Sequence, residues 1–196
     1  MTCEVAALVL AAGYSQRFGS DKRQQRLGDG QTLLEASLAL PCTRLQEVWL
    51  VLRFDETWPR PLPAKVHVVR AASSRLGMGH SLAAGVGQLA QTSGAEALAI
   101  FLADMPFIQP ATLDALVASI DAEHICVPTY QGRPGHPVLF GRRFWAELCQ
   151  LQGDTGARAV LQRQRAAVRT LVVDDPGILL DIDRPIDLPD CQHELD

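Results

Sequence analysis

Short apolar runs rich in β-branched residues alternate along the chain with segments whose apolar positions recur at helical spacing. The apolar runs predict strands at 5–10, 47–52, 66–69, 97–102, 125–128 and 168–173. The periodic segments predict helices at 32–40, 79–91, 111–120, 144–150 and 155–165, the first of them opened by a capping box of Thr32 and Glu35. This alternation predicts an α/β fold in which a mostly parallel central sheet carries helices on both faces.

Length and composition are those of an ordinary globular protein. The 196 residues are 47% hydrophobic and 20% charged, which excludes a disordered or fibrous chain and is enough for one hydrophobic core. The proline-rich stretch 58–63 is expected to be a surface connection between the second and third strands. Because no repeat, low-complexity block or linker interrupts the chain, we predict a single domain over residues 1–196.

The formal net charge of −4 argues against a nucleic-acid partner, since no broad cationic field is available to bind a polyanion. No apolar run approaches the roughly 18 residues of a membrane helix, and the N-terminus lacks the basic head of a signal peptide. The five cysteines are odd in number and contain no C-x-x-C pair, which indicates reduced thiols rather than disulfides or a zinc site. We therefore expect a cytoplasmic protein with no membrane partner.

The loop after the first strand is a candidate phosphate site. It carries Gly13, whose backbone can approach a phosphate closely, and two cations, Arg17 and Lys22. It contains neither the dinucleotide fingerprint G-x-G-x-x-G nor the P-loop pattern G-x-x-x-x-G-K-[ST]. An ordinary strand-to-helix turn with solvated charges is the alternative interpretation.

Carboxylates suited to a hard cation occur at two places. Asp104 lies two residues after the fourth strand, and Asp181 and Asp183 alternate in an extended segment near the C-terminus, so that both can face one ion. Mg²⁺ is commonly bound by one or two carboxylates together with substrate phosphates. For Asp183, an equally good interpretation is the N-cap of a short final helix.

Three further segments have the residue types of ligand sites. Gly79 and Ser81 lie at a helix start made of small residues, which suits close approach to a flat base, although tight packing on the sheet is the alternative, above all for Gly85. His136 lies in a stretch too rich in glycine and proline to be an ordinary hairpin turn. Asp154 is expected to be the N-cap of a helix that also carries Arg158, where a second anion site is possible.

Taken together, these motifs resemble the molybdenum cofactor nucleotidyltransferases, and most closely their cytidylyltransferase branch. The matching segments run in family order over nearly the whole chain: L-A-A-G-x-S-x-R-F-G-x-D-K at 10–22, G-M-G-x-S-L-A-A-G at 77–85, L-A-D-M-P at 102–106, G-H-P-V at 135–138, G-D-x-G-A-R at 153–158 and D-I-D-x-P-x-D-L at 181–188. The chain departs from the usual family pattern at 23–27, where R-Q-Q-R-L replaces a more apolar run.

The resemblance implies a Rossmann-like nucleotidyltransferase domain that uses Mg²⁺ to transfer CMP from CTP to the terminal phosphate of molybdopterin, releasing pyrophosphate. The implied roles are phosphate binding by Ala11, Ala12, Gly13, Arg17 and Lys22, base and ribose binding by Gly79 and Ser81, metal binding by Asp104 with Asp183 or Asp181, and pterin binding by His136, Asp154 and Arg158. Catalysis would then rest on positioning and on charge neutralisation by Mg²⁺, Lys22 and Arg17, with Asp104 as the catalytic residue that binds the metal.

The finer assignments have alternatives. The Ala11-Ala12-Gly13 turn resembles the branch that uses CTP, whereas the branch that uses GTP tends to carry a second glycine there. A transferase acting on another phosphorylated acceptor, such as a sugar phosphate, is the alternative among enzymes. Among non-enzymes, the alternative is a chaperone that delivers the finished cofactor. The cytidylyltransferase role and the delivery role would each make a molybdenum hydroxylase, or its maturation chaperone, a partner.

Overall fold

Eight strands form one sheet in the computed structural model, which describes residues 3–14 and 21–183. The strands are β1 (Val5–Leu10), β2 (Glu47–Arg53), β3 (Val66–Ala71), β4 (Ala97–Leu102), β5 (Ile125–Tyr130), β6 (Arg133–Pro134), β7 (Val138–Gly141) and β8 (Val168–Val172). Their order is β3-β2-β1-β4-β7-β5-β6, with β8 paired to β5. The neighbours β3, β2, β1 and β4 are all parallel, and β8 is parallel to β5. The predicted α/β class with a mostly parallel sheet is confirmed.

The two strands that the apolar pattern did not predict, β6 and β7, are short and antiparallel. Strand β7 lies between β4 and β5 and pairs with both of them in the antiparallel sense. Gln131 and Gly132 form a two-residue turn between β5 and β6, and both have positive φ, 49° and 76°. The prediction that this stretch is too rich in glycine and proline for a hairpin was therefore wrong, because such a turn requires a residue like Gly132.

Helices cover both faces of the sheet, as predicted. They are α1 (Leu33–Arg44), α2 (Met78–Thr92), α3 (Pro110–Ser119), α4 (Trp145–Leu148) and α5 (Arg158–Arg163). Helices α1 and α3 pack on the face that carries Val5, Ala7 and Val9. Helices α2, α4 and α5 pack on the opposite face, with Ala6 and Leu8.

Some of the predicted helix caps and packing contacts are present in the structure, and others are not. Thr32 and Glu35 form the predicted capping box of α1. Gly85 packs tightly on the sheet, since a Cβ there would lie 2.7 Å from the Val51 side chain. Asp154 is not the N-cap of α5, because that helix begins only at Arg158 and follows a left-handed glycine at 156. The predicted helix after Asp183 lies outside the described residues, as does Arg17.

The connection at 58–63 contains neither helix nor strand, as expected, but it is not wholly a surface segment. Trp58 is 9% exposed and belongs to the core on the α1 and α3 face. Within the described ranges, no helix is long and apolar enough to cross a bilayer.

The sheet topology determines where a site can form. Leu10 at the end of β1 is paired with Leu102 at the end of β4, so the loops that follow these strands leave the sheet side by side. The segment leading to Asp183 returns to the same edge, where the Ile182 amide donates to the Asp104 carbonyl at 2.9 Å. Ligands of open parallel sheets bind at this carboxyl edge.

Candidate active site

A cleft of about 540 Å³ opens over the carboxyl ends of β1 and β4. Its walls include eight of the residues singled out from the sequence: Ala11, Ala12, Gly13, Lys22, Ser81, Asp104, Asp154 and Asp183. The described part of the chain places four others outside the lining, namely Gly79, His136, Arg158 and Asp181. The motifs scattered along the sequence therefore converge largely on one cavity.

Lys22 is the central charge of the cleft. Its Nζ donates to Asp104 Oδ2 at 2.7 Å, to Asp183 Oδ1 at 2.9 Å and to the Ile182 carbonyl at 3.1 Å. Burial opposes the charged form of the ammonium, but Asp104 and then Asp183 outweigh burial and raise the pKa of Lys22 above its ordinary value. Lys22 therefore stays cationic at neutral pH and holds together two carboxylates that are far apart in the sequence.

Asp104 retains an oxygen that these contacts do not satisfy. Its Oδ1 is buried and has no hydrogen-bond partner among the described residues, and the Asp104 side chain as a whole is only 21% exposed. A buried carboxylate oxygen without a donor is costly unless a ligand or cation completes it. Asp104 and Asp183 thus form a donor pair of hard oxygens that fits a divalent cation with substrate phosphates as the remaining ligands.

His136 and Asp181 lie near this pair without lining the cleft. The His136 Nδ1 is buried without a hydrogen-bond partner among the described residues, and burial lowers the pKa of the imidazole, although the charges of Asp104 and Asp181 act in the opposite direction. The backbone N–H of His136 donates to the Ile178 carbonyl at 3.0 Å, which attaches the backbone at residue 136 to the C-terminal segment. His136 is therefore a neutral, polar side chain beside the Asp104 carboxylate. Asp181 is exposed.

The small residues at the start of α2 have a packing explanation. The Gly79 amide donates to the Gly153 carbonyl at 2.7 Å, and a Cβ at position 79 would lie 2.8 Å from the carbonyl oxygens of Gln152 and Gly153. Gly79 thus lets the helix contact the 152–154 loop, and its amide is already engaged. Ser81, two residues further along α2, is buried and lines the cleft.

Asp154 and Arg158 were both predicted to bind the pterin, but the structure places only one of them at the cleft. Asp154 is exposed and lines the cleft, whereas Arg158 is exposed on α5 and does not reach the lining. The structure therefore brings only Asp154 of this motif to the cavity.

A buried ion-pair network that sequence reasoning missed supports the floor of the cleft. Arg23 is 3% exposed and binds the carboxylates of Asp21, at 2.5 Å, and Glu56, while it also donates to the Ala11 carbonyl. Arg53 pairs with the same two carboxylates at 3.0 and 3.2 Å. The only signal in the sequence was the polar departure at 23–27, and it did not indicate which residues would pair.

The lowered pKa of Glu56 predicts how the free energy of unfolding changes with pH. Burial disfavours its charged form, but hydrogen bonds from Arg23 and Arg53 outweigh burial and lower the pKa below the ordinary glutamate value. A lowered folded-state pKa contributes stability that is present above the unfolded pKa, roughly 4.3, and is lost as the pH falls through the folded value. Glu56→Gln should therefore lower the free energy of unfolding at pH 7 by about 3 kcal/mol and by much less near pH 3.

Urea unfolding at both pH values measures this difference. The matched control is Glu123→Gln, which breaks an exposed pair with Arg143 at 3.3 Å and should change stability by no more than about 0.5 kcal/mol. Equal effects of the two substitutions at pH 7 would contradict a stabilising role for the buried network.

At the mouth of the cleft, Tyr14 lies between two guanidinium groups. Arg53 and Arg75 lie 5.1 and 5.6 Å from the centre of its ring, and the Tyr14 hydroxyl is 3.4 Å from Ser74 Oγ. Tyr14, Ser74 and Arg75 all line the cavity. Arg75 adds positive charge to the rim, which favours an anionic ligand.

Comparison with known proteins agrees with this geometry. Residues 7–168 match the model of the MobA-like NTP transferase domain. The chain is 34% identical to the purine catabolism protein PucB of Bacillus subtilis, over 90% of each chain. It is 35% identical to a probable molybdenum cofactor guanylyltransferase of Chloroflexus aggregans, over 88% of this chain and 80% of that one.

Solved structures show the same fold. Rv0371c of Mycobacterium tuberculosis superposes with a TM-score of 0.79 at 29% identity, covering 94% of this chain and 95% of that one. A second structure of Rv0371c, a complex with manganese, covers the same shares at 28% identity and a TM-score of 0.71. The chain therefore belongs to the MobA-like NTP transferase family and is a nucleotidyltransferase.

Proposed function

We propose that this nucleotidyltransferase transfers CMP from CTP to the terminal phosphate of a molybdopterin-type cofactor and releases pyrophosphate. The observation that carries the proposal is the placement of Lys22 between Asp104 and Asp183 at the base of the cleft. That arrangement combines a cation for a triphosphate with two carboxylates for a metal ion, which is the charge pattern that phosphoryl transfer needs.

The reaction needs no covalent nucleophile. An oxygen of the acceptor phosphate attacks the α-phosphorus of the nucleotide, and the bond from that phosphorus to the bridging oxygen of the β-phosphate breaks, so that pyrophosphate leaves with the electron pair. The acceptor phosphate is already ionised near neutral pH, and no side chain has to remove a proton. The role of the protein is to align the two phosphates and to neutralise their charge, with Lys22 and Arg17 as the cations.

Asp104 and Asp183 are the residues that would hold the metal ion, which we propose to be Mg²⁺. Enzymes of this family generally use a divalent metal, and the Rv0371c complex contains manganese. When bound, such an ion neutralises charge on the transferring phosphate. The Oδ1 of Asp104, which no described residue contacts through a hydrogen bond, supports this assignment, because a cation would satisfy it.

For the acceptor, we propose His136 and Asp154 as contacts of the pterin. The Nδ1 of the neutral His136 imidazole has no hydrogen-bond partner in the described part of the chain, and the rings of a pterin carry both donors and acceptors that suit such a group. Asp154 lines the cleft together with Asp104 at the β4 end. Arg158 has no contact with the cavity in the described residues, which leaves it without structural support as a pterin contact.

Selection of CTP over GTP is expected from Ala12. Ala12 is 4% exposed, lines the cleft and packs in the core, so a base that approaches this turn would meet a fixed wall. We expect kcat/KM for CTP to exceed that for GTP by roughly 10²-fold, and Ala12→Gly to reduce the preference. Steady-state kinetics with CTP and GTP, on the unmutated protein and on Ala12→Gly, test this preference. Equal kcat/KM values in the unmutated protein would contradict it.

GTP remains the second candidate, because the Chloroflexus relative is named a guanylyltransferase. The decisive assay combines purified protein, Mg²⁺, the molybdopterin cofactor and each nucleoside triphosphate in turn, with pyrophosphate release as the readout. Release with CTP supports the proposal, and release with GTP alone replaces it with guanylyl transfer. Release only when a sugar phosphate is supplied would change the acceptor. Cofactor binding without any release would favour a delivery role.

A further inference from the structure

We propose that Asp175 is a positioning residue that sets where Asp183 stands relative to Asp104. Asp175 lies eight residues before Asp183, outside the cleft, and it is 1% exposed. Its Oδ2 accepts from the Gln109 amide at 2.9 Å and from Thr112 Oγ1 at 2.7 Å, and its Oδ1 accepts from the Gly177 amide at 2.8 Å. This inference rests on the proposed role of Asp183 in holding a metal ion.

The contacts of Asp175 join two elements that are far apart in the sequence. Helix α3 begins after Gln109, whose own side chain makes no capping hydrogen bond. Asp175, 66 residues further along the chain, accepts from the Gln109 amide at this helix start, and its carboxylate is also favoured there by the helix dipole. The C-terminal segment 175–183 is thereby attached to the loop that follows Asp104.

Two further contacts keep this segment in one position. Gly177 lies so close to the Phe107 carbonyl that a Cβ at position 177 would collide with it. Five residues on, the Ile182 amide donates to the Asp104 carbonyl at 2.9 Å, and Ile182 is 1% exposed. The segment thus contacts the loop after β4 at both of its ends, and the position of Asp183 follows directly from the second contact.

Asp175 is suited to this role because a carboxylate accepts hydrogen bonds at both oxygens. An asparagine would present an NH₂ group to one side, where it would face an N–H donor of Gly177 or of Gln109. Asp175→Asn therefore removes part of the attachment while conserving the shape of the side chain. If the attachment positions Asp183, the carboxylate pair should bind a divalent cation more weakly.

The test measures Mn²⁺ binding to the full chain, from the electron paramagnetic resonance signal of free Mn²⁺, with and without α,β-methylene-CTP. We expect Asp175→Asn to raise the Kd for Mn²⁺ by at least about tenfold, the effect typical of residues that orient metal ligands. Hydrogen exchange without metal or nucleotide should also show faster exchange of the Ile182 amide.

The control for general destabilisation is Ser93→Ala. Ser93 is 7% exposed, donates to Glu47 Oε2 at 2.6 Å and accepts from the Ala95 amide at 3.1 Å, at the opposite edge of the sheet. The Ser93→Ala variant loses about as many buried hydrogen bonds as Asp175→Asn does, but far from the cleft. Ser93→Ala should lower the thermal midpoint and leave both the Kd for Mn²⁺ and the Ile182 exchange rate unchanged.

The outcomes separate the hypotheses. Wild-type Mn²⁺ affinity in Asp175→Asn, or an equal loss of affinity in Ser93→Ala, would overturn the positioning role. If Asp175→Asn does not fold, Thr112→Val removes a single donor to the same carboxylate and must show a smaller loss of Mn²⁺ affinity, and an unchanged Kd would overturn the inference. Failure of the unmutated protein both to bind Mn²⁺ and to release pyrophosphate would instead contradict the proposed function.

Discussion

Replacing Asp104 with asparagine should lower kcat for pyrophosphate release by at least about 10³-fold and leave the fold intact. The carboxylate stands at a strand end, where its Oδ1 has no partner among the described residues and its Oδ2 meets Lys22 at 2.7 Å. An amide has nearly the same shape but lacks the charge that would hold a cation. The backbone carbonyl of residue 104, which receives the Ile182 amide, is unchanged by the substitution.

Pyrophosphate release at saturating CTP and Mg²⁺ measures this effect, together with a thermal melt. Asp114→Asn is the matched control: it removes a carboxylate of α3 that is 53% exposed and forms only a 3.5 Å pair with Arg44. This variant should have wild-type kinetics. Near-wild-type turnover of Asp104→Asn in Mg²⁺ would show that Asp104 does not have the proposed metal role.

Substitution of Lys22 should lower kcat and weaken CTP binding together, because its ammonium neutralises charge that grows in the transition state. Lys22→Ala is expected to lower kcat by at least about 10²-fold, and Lys22→Arg should not restore it fully, since a planar guanidinium cannot replace a point charge between two carboxylates. Lys22→Ala should also bind Mn²⁺ alone more tightly than the unmutated protein, because the ammonium no longer competes with the cation for Asp104 and Asp183.

Lys65→Ala provides the control, as Lys65 Nζ donates only to the Leu45 carbonyl at 2.9 Å, away from the cleft. Steady-state kinetics and Mn²⁺ titration on these variants separate the two interpretations of the loop after β1, as a phosphate site or as a turn with solvated charges. A solvated lysine would leave kcat and KM for CTP unchanged on removal, and that result would exclude Lys22 from the catalytic machinery.

The parallel half of the fold was predictable because its signals are local. Strands β1 and β4 are continuous apolar runs, and each is followed directly by a residue type suited to ligand binding at the carboxyl edge. Their pairing places Ala11 to Gly13 beside Asp104 without further information. The pattern failed at β7, a strand of four residues whose pairing with β4 and β5 depends on contacts far along the chain.

The chemistry of the site was predictable by residue type but not by pairing. Lys22 was expected at the phosphates and Asp104 at the metal, whereas the structure joins them to each other and to Asp183. Arg23 gave no sequence signal of burial, because its neutralisation requires Glu56 from the loop after β2. Asp175 likewise shows its contacts only when α3 and the C-terminal segment meet.

The attachment of the C-terminal segment has a consequence for the order in which the site is completed on the ribosome. Lys22 emerges early, its first carboxylate partner follows 82 residues later, and Asp183 follows 161 residues after Lys22. At about 5–20 residues per second, the second carboxylate is translated roughly 8 to 32 s after the lysine. A nascent chain can therefore form the β1 and β4 edge with one ion pair in place while it still lacks the complete cation site. The proposed cation site, and with it the charge balance around Lys22, is therefore completed only once the segment around Asp183 has been made.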